Sequence, residues 1–381
     1  MKEYRTDIYN MKLEIIAFYL PQYHPFKEND EWWGKGFTEW TNVGKAKPLF
    51  KGHNQPRVPT ELGYYDLRLP IVRDQQAQMA REAGVTAFCY WHYWFGNGKR
   101  LIADIFNEVL ESGNPDFPFC LGWANHSWYS KLWNTDGTTT NKILVEQTYP
   151  GIEDEKMHFE FLLKAFRDER YVKVDGKPLL YIFDPVSIPD EYIQNFKKWT
   201  IEAGFKGLYL VANITLAKLR KEDLYARGFD SVTYQRLGGT TSIFLQKMGR
   251  AGRGIRKLAQ RLKGFFLHQP PFMTDYAKYY PMLVTKEDRE ENVIPSIVPQ
   301  WDHTPRSGWN GSFFVNATPE NFYKHCLQVL DSVKDKKHPI IFLKSWNEWG
   351  EGNMMEPDLT YGRGFIDALR KAKEEVFSNN C

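Results

Sequence analysis

Glu348 and Glu351 stand three residues apart in "KSWNEWGEGNMMEPD" (344–358), between two tryptophans and two glycines. Paired carboxyl groups are the equipment of glycosidic bond cleavage: one is held protonated as an acid, the other ionised as base or nucleophile. A carboxyl separation of roughly 5–5.5 Å goes with retention of anomeric configuration and about 6.5–9.5 Å with inversion. Residues three apart reach the shorter range where the backbone turns, and Gly350 and Gly352 ease such a turn. The apolar walls of Trp346 and Trp349 favour the protonated form of a neighbouring carboxyl. Glu356, five residues beyond the pair, is a third acid, to which a structural role is assigned. By itself an E-x-x-E pair is more often an exposed acidic loop; its place in the fold decides.

The elements that must position the pair are eight short apolar runs rich in Val, Ile, Phe and Tyr. They are 14–20, 85–94, 117–125, 177–184, 207–213, 230–235, 293–302 and 338–349. Helical periodicity fills the spaces at 69–84, 153–168, 190–204 and 318–333, the last opening with a Thr cap and Pro at the first helical position. In the first of these, Ile71, Gln75, Met79 and Ala83 form one stripe ending on Gly84. Alternating strands and helices predict a parallel sheet covered by helices. Eight strands, with no glycine-rich dinucleotide fingerprint or Walker sequence after any of them, predict an α/β fold closed as a single (β/α)₈ TIM barrel with long βα loops. The barrel spans 14–381 after an N-terminal extension at 1–13, with a basic insert at about 236–290. Residues 21–68 form a long first connection at the active-site rim.

In such a barrel the active site is built at the C-terminal ends of the strands. Those ends carry Tyr19, Tyr23 and His24, then Tyr90, Trp91, His92 and Tyr93, then Trp123 and Asn125. Asp184, Asn213, Tyr234, Gln235, Trp301, Asp302, Trp346 and Asn347 complete the set beside Glu348. Aromatic faces stack on the C–H faces of pyranose rings, while Asn, Asp, His and Gln pair with hydroxyls, so the recurring pairing predicts a sugar site. No metal or cofactor is expected. His24 and His92 are read as hydrogen-bonding residues because neither sits in a ligand-spaced motif. No G-x-S-x-G elbow points to a serine hydrolase.

An apolar fraction of 42% with 25% charged residues is that of a folded globular chain, and the 16% aromatic share is high. Cys89, Cys120, Cys326 and Cys381 show no paired spacing, and Cys89 and Cys120 fall in apolar runs as buried thiols. A polar N-terminus without an apolar signal core, and no apolar run long enough to span a bilayer, lead to an expected cytoplasmic location. The net charge of +3 is concentrated: 247–263 hold seven of the 50 Lys and Arg and no acid, so the remainder is mildly acidic against 47 Asp and Glu. That segment reads either as a surface that meets an anionic membrane face or the diphosphate of a lipid-linked glycan, or as a solvated helix over a long βα connection. Nucleic acid is not expected as a partner, since the basic residues are confined to one insert without a binding motif.

Four separated blocks, "IAFYLPQYHPFKENDEWWGKGFTEWTNV" (16–43), "GVTAFCYWHYWF" (84–95), "VPQWDHTPR" (298–306) and "SWNEWGEGNMMEPD" (345–358), together resemble the WbsX-type family. Its members carry a glycoside hydrolase family 99-like domain and occur in loci for cell-surface polysaccharide (O-antigen, capsule) biosynthesis. The likeness runs from about residue 14 to about residue 375, and Trp40 in the first block joins the sugar-contact set. The related family 99 enzymes are retaining endo-α-mannosidases on a (β/α)₈ barrel, with an N-E-W-x-E-G block like Asn347 to Gly352. In them the first Glu acts as base on the substrate's own 2-hydroxyl, which attacks the anomeric carbon to give an anhydrosugar; the second is the acid that then activates water. The resemblance thus implies Glu348 as base and Glu351 as acid/base, acting on an α-mannose-like oligo- or polysaccharide that can be lipid-linked. A glycosyltransferase using the same pocket is the alternative it implies. One departure stands in "WDHTPR", where His303 occupies a position at which the family's pattern has Asn.

Overall fold

The computed structural model describes residues 13–133, 139–215, 219–234, 236 and 273–377. The basic segment 247–263 and Gln235 lie outside the described residues. Eight parallel strands form the centre: β1 (Glu14–Tyr19), β2 (Ala87–His92), β3 (Phe119–Trp123), β4 (Lys177–Ile182), β5 (Tyr209–Ile214), β6 (Ser231–Tyr234), β7 (Ser296–Ile297) and β8 (Ile340–Leu343). Each pairs with its sequence neighbour from β1 to β6, β7 pairs with β8, and β8 returns to β1 with Glu14 opposite Ile340. The remaining seam is closed by a bridge between Val232 and Val293, carried by Val232 N–H to Asn292 O and Ile294 N–H to Val232 O. The chain is therefore a (β/α)₈ barrel. Seven of the eight predicted apolar runs contain a strand, and the run 207–213 stops one residue short of the end of β5. The strands are apolar along their length because the inward face fills the barrel and the outward face meets helices, so neither needs a polar side.

The helices used below are α1 (Lys27–Trp33), α2 (Glu39–Lys45), α3 (Pro70–Ala83), α4 (Asp104–Ser112), α5 (Ile152–Phe166), α6 (Asp190–Glu202), α7 (Lys221–Ala226), α8 (Pro319–Val333) and α9 (Gly364–Phe377). Helix α8 begins as its sequence predicts, with the Thr318 side chain accepting from Asn321 N–H and Pro319 at the first position. Helix α3 buries a stripe rotated from the expected one: Val72, Gln76, Ala77, Met79, Ala80 and Ala83 face the barrel, while Ile71 and Gln75 are exposed. A polar residue sets that rotation, because Gln76 accepts from Tyr19 OH at 2.6 Å and donates to Glu356 at 2.6 Å. Cys89, Cys120 and Cys326 are buried thiols. No helix among the described residues is long and apolar enough to cross a membrane.

Candidate active site

After β8 the chain runs through Lys344 and Ser345, joined by a cis peptide, into a small hairpin. Asn347 and Glu348 pair antiparallel with Met354 and Asn353, enclosing a single turn at Trp349–Glu351. That turn brings the two carboxyl groups close enough to act on each other's proton affinity. The two glycines serve different ends. Gly352 has φ +53°, and a Cβ there would lie 2.7 Å from Asp302 Cβ; at Gly350 a Cβ would lie 2.1 Å from Glu39 Oε2. Only hydrogen at Gly350 lets Glu39 approach the turn.

Several side chains hold the hairpin to the rest of the barrel. Asn347 accepts from Leu20 N–H at 2.7 Å and donates to Leu20 O at 3.1 Å. Tyr23 OH donates to Asn347 O and accepts from Trp349 N–H at 3.0 Å. Behind it, Glu356 is buried and accepts from Gln76, Tyr65 OH at 2.9 Å and Trp349 Nε1 at 2.6 Å. Burial pushes the Glu356 carboxyl up to about 7 against the lowering pull of those donors. It is a brace, as expected, and not part of the pocket wall.

The two acids differ electrostatically. Desolvation raises Glu348 above the usual carboxylate range, and the neighbouring Glu351 adds to this while Lys344 opposes it. Desolvation pushes Glu351 the same way, but Arg306 and then Lys344 outweigh it and hold the group low. Arg306 Nη1 lies 2.5 Å from Glu351 Oε1, and its Nη2 lies 3.0 Å from Glu39 Oε2, so one guanidinium bridges two carboxylates. In the free chain the surroundings thus favour a proton on Glu348 over one on Glu351.

A narrow recess that opens to solvent lies over the barrel mouth beside this pair. The side chains of Phe18, Trp91, Tyr181, Phe183, Tyr234 and Lys344 are among those that line it. Trp91 Nε1 donates to Glu348 Oε1 at 3.0 Å, which ties the chamber directly to the acid pair. Trp91 and Tyr234 both line this chamber, and burial together with the nearby Glu348 raises the Tyr93 hydroxyl.

Other expected contacts lie elsewhere. Side chains alternate along a strand, so neighbours face opposite ways. Phe18 and Trp91 point into the barrel, and Tyr19, His92 and Trp123 therefore point out. Tyr19 bonds Gln76 on α3. His92 shares a hydrogen bond of 2.8 Å with His158 on α5, which in turn bonds Tyr192 on α6 at 2.8 Å, and burial holds both imidazoles neutral. Trp123 Nε1 donates to Trp94 O at 3.0 Å. Asn125 is a clamp between strand ends, with Oδ1 accepting from Asp184 N–H and Nδ2 donating to Asp184 O. The Asp184 carboxylate caps the following turn at Val186 N–H. Trp346 is fully buried against Phe88. Trp40 packs between Tyr23 and Trp349 and donates to Tyr65 O. His24 is buried beside Phe26, and desolvation lowers it. Trp301 lies at the rim, bonded to Ser312 and stacked on His303. Asp302 is saturated by His53, Gln55 and Thr304, and its N–H donates to Glu351 O at 2.6 Å. It fixes the loop that delivers Arg306.

Sequence reasoning missed Arg306, Glu39 and Lys344 as members of the site. Arg306 and Glu39 lie in blocks that carry the family likeness, so that likeness was the available signal. Lys344 had a local one, since it sits four residues before Glu348 at the end of the last strand. Among the described residues, no group of three or more His, Cys, Asp or Glu is placed to hold a metal ion.

With this geometry in view, the comparisons with known proteins are consistent. Two solved structures of a GH99 endo-α-mannosidase from Bacteroides thetaiotaomicron superpose with TM-scores of 0.57 and 0.52 at 15% identity; each comparison covers 96% of this chain, and 98% and 99% of the respective neighbours. A structure titled glycoside hydrolase-like protein gives a TM-score of 0.56 at 16% identity, covering 96% of this chain and 94% of its own. At such identities the likeness concerns the barrel. The uncharacterized protein WxcX from two strains of Xanthomonas campestris pv. campestris is 33% identical over 365 residues, covering 94% of this chain and 49% of the relative. The chain thus spans about half the length of those curated relatives. The sequence profile described as Glycosyltransferase WbsX matches residues 15–369, nearly the whole chain, and on that match the chain belongs to the WbsX family.

Proposed function

We propose that the chain is a carbohydrate-active enzyme of polysaccharide metabolism that cleaves an α-mannose-like glycan internally and with retention, using Glu348 and Glu351. The observation that carries this reading is the adjacent carboxyl pair, one raised by burial and one held low by Arg306, at the mouth of an aromatic-lined barrel. Two carboxyl groups in opposite protonation states are what glycosidic bond cleavage requires. The roles implied by family resemblance place the base at Glu348 and the acid at Glu351. The surroundings of the free chain favour protonation in the opposite order, so substrate binding must reverse that preference before the 2-hydroxyl is deprotonated. Arg306 opposes the reversal, and Lys344 lowers both carboxyls.

The family's description as a glycosyltransferase supports a second reading, in which a sugar hydroxyl replaces water as the final acceptor. Both readings share the first step and differ in what enters the chamber afterwards. Substrates that are lipid-linked, a cytoplasmic location and contact with the inner membrane face through 247–263 belong to this proposal as well.

Mass spectrometry of products after incubation with α-mannan and with lipid-linked oligosaccharides tests it. Shortened chains support the glycosidase and lengthened chains the transferase. Glu348→Gln and Glu351→Gln are each expected to lower turnover by about 100-fold or more with folding intact. Full turnover in either variant would refute the assignment.

A further inference from the structure

The chamber beside Glu348 has a composition that a neutral sugar does not require. Among the described residues that line it are two cations, Lys344 and Arg236, and no Asp or Glu. Arg236 is already engaged, with Nη1 2.6 Å from Asp288 Oδ2 and further bonds to Leu283 O and Thr285. Lys344 is not comparably engaged. Its side chain is 12% exposed, and its charge contact is Glu348 Oε1 at 3.9 Å, beyond hydrogen-bond reach. Its ammonium also stands 6.0 Å from the centre of the Trp91 ring. Among the described residues no acceptor lies within hydrogen-bond distance of its Nζ.

An ammonium carries three donors, and withdrawing it from water without acceptors is costly. The side chain that it does approach, Glu348, is too distant to accept a hydrogen bond from it. A ligand is the source of the acceptors that the described residues do not provide. Resting on the reading of this chamber as a glycan site, we propose that it is a subsite for a sugar bearing an oxyanion, carboxylate or phosphate, which bonds Lys344 Nζ with Arg236 behind it. The aromatic faces of Trp91, Phe183 and Tyr234 take the ring, and the cations select the charge. The polysaccharide handled is then acidic at the residue next to the cleaved bond, or is held through a sugar phosphate.

Titration calorimetry with the whole chain tests this, with α-mannobiose, a mannuronic acid disaccharide, mannose 1-phosphate and inorganic phosphate as probes. At least one of the two anionic sugars is expected to bind ten-fold or more tightly than mannobiose, with a preference that weakens as salt rises. Preference for the uronate identifies a carboxylate-bearing glycan; preference for mannose 1-phosphate, with weaker binding of free phosphate, identifies a phosphosugar. Lys344→Met is expected to remove the preference and Lys344→Arg to retain it, with circular dichroism checking the fold of each. Glu348→Gln retains it too. Equal affinity for neutral and anionic sugars, or an unchanged preference in a folded Lys344→Met, overturns the oxyanion subsite and leaves the glycan site standing. Binding of none of the sugars overturns both.

Discussion

Replacing Arg306 with Met should expose the logic of the acid pair most directly. The guanidinium bridges Glu351 at 2.5 Å and Glu39 at 3.0 Å, and all three side chains are largely shielded: 26%, 14% and 6% exposed respectively. Removing one partner of a buried ion pair typically costs about 3–5 kcal/mol, because the other charge is left without compensation. Two carboxylates lose a partner here, but the guanidinium edge reaches solvent, so about 3 kcal/mol at pH 7 is the expected loss. With an unfolding entropy of about 2.1 cal/mol/K per residue, a chain of 381 residues shifts by roughly 1–1.5 °C per kcal/mol, so the unfolding midpoint should fall by about 4 °C at a fixed scan rate. The pH dependence supplies the sharper check. In the native chain Glu351 is held below its unfolded value, so its contribution is full above that value and is lost as pH falls through the folded one. Without Arg306, Lys344 alone among the cations opposes burial and Glu351 rises relative to the native chain, so the variant gains relative stability as pH falls from 7 towards 5. The gap in midpoint between the two proteins should therefore narrow across that interval. A gap below about 1 °C at pH 7, or one that does not narrow on acidification, would refute the bridge as the control on Glu351.

Other perturbations follow from the same contacts. Gly350→Ala places a methyl group where Glu39 Oε2 now lies, so it should break the Glu39–Arg306 contact and lower turnover about ten-fold or more; a fully active alanine variant would refute the close approach. Glu356 is raised to about 7 in the folded chain, so its contribution is largest below the unfolded carboxylate value and declines as pH rises from about 4.5 to 7. Glu356→Gln should flatten that limb in urea titrations at stepped pH, a change on the order of 3 kcal/mol across the interval, and an unaltered limb would count against it. His92→Phe should destabilise by about 1–3 kcal/mol through the orphaned His158 while leaving sugar affinity unchanged, because His92 faces α5 and not the chamber. Loss of sugar affinity in a folded His92→Phe would place the ring in the site after all.

The barrel was legible because its signals are local and repeated. Eight apolar runs separated by helical stretches admit few arrangements of a chain this long, and the capped start of α8 is written within a few residues. The acid pair was legible for a related reason: Glu348 and Glu351 belong to one turn, so chain connectivity alone keeps them together. The strand-end inventory was less informative. Tyr19 and Phe18, or His92 and Trp91, are adjacent in sequence and equally aromatic, and composition cannot say which of each pair looks inward. A shift of one residue in register exchanges the faces of a whole strand, and that register is set by packing around the closed barrel.

What the sequence determined by itself is the order of the elements and the chemistry that one turn can hold. Tertiary structure alone decided the electrostatic bias on that chemistry. Arg306, Glu39 and Lys344 reach Glu348 and Glu351 from three separate connections, and Gln76 turns α3 by bonds to Tyr19 and Glu356. Proton affinity depends on which charges lie within a few ångströms and on how much water is excluded, and neither quantity exists until the chain has closed.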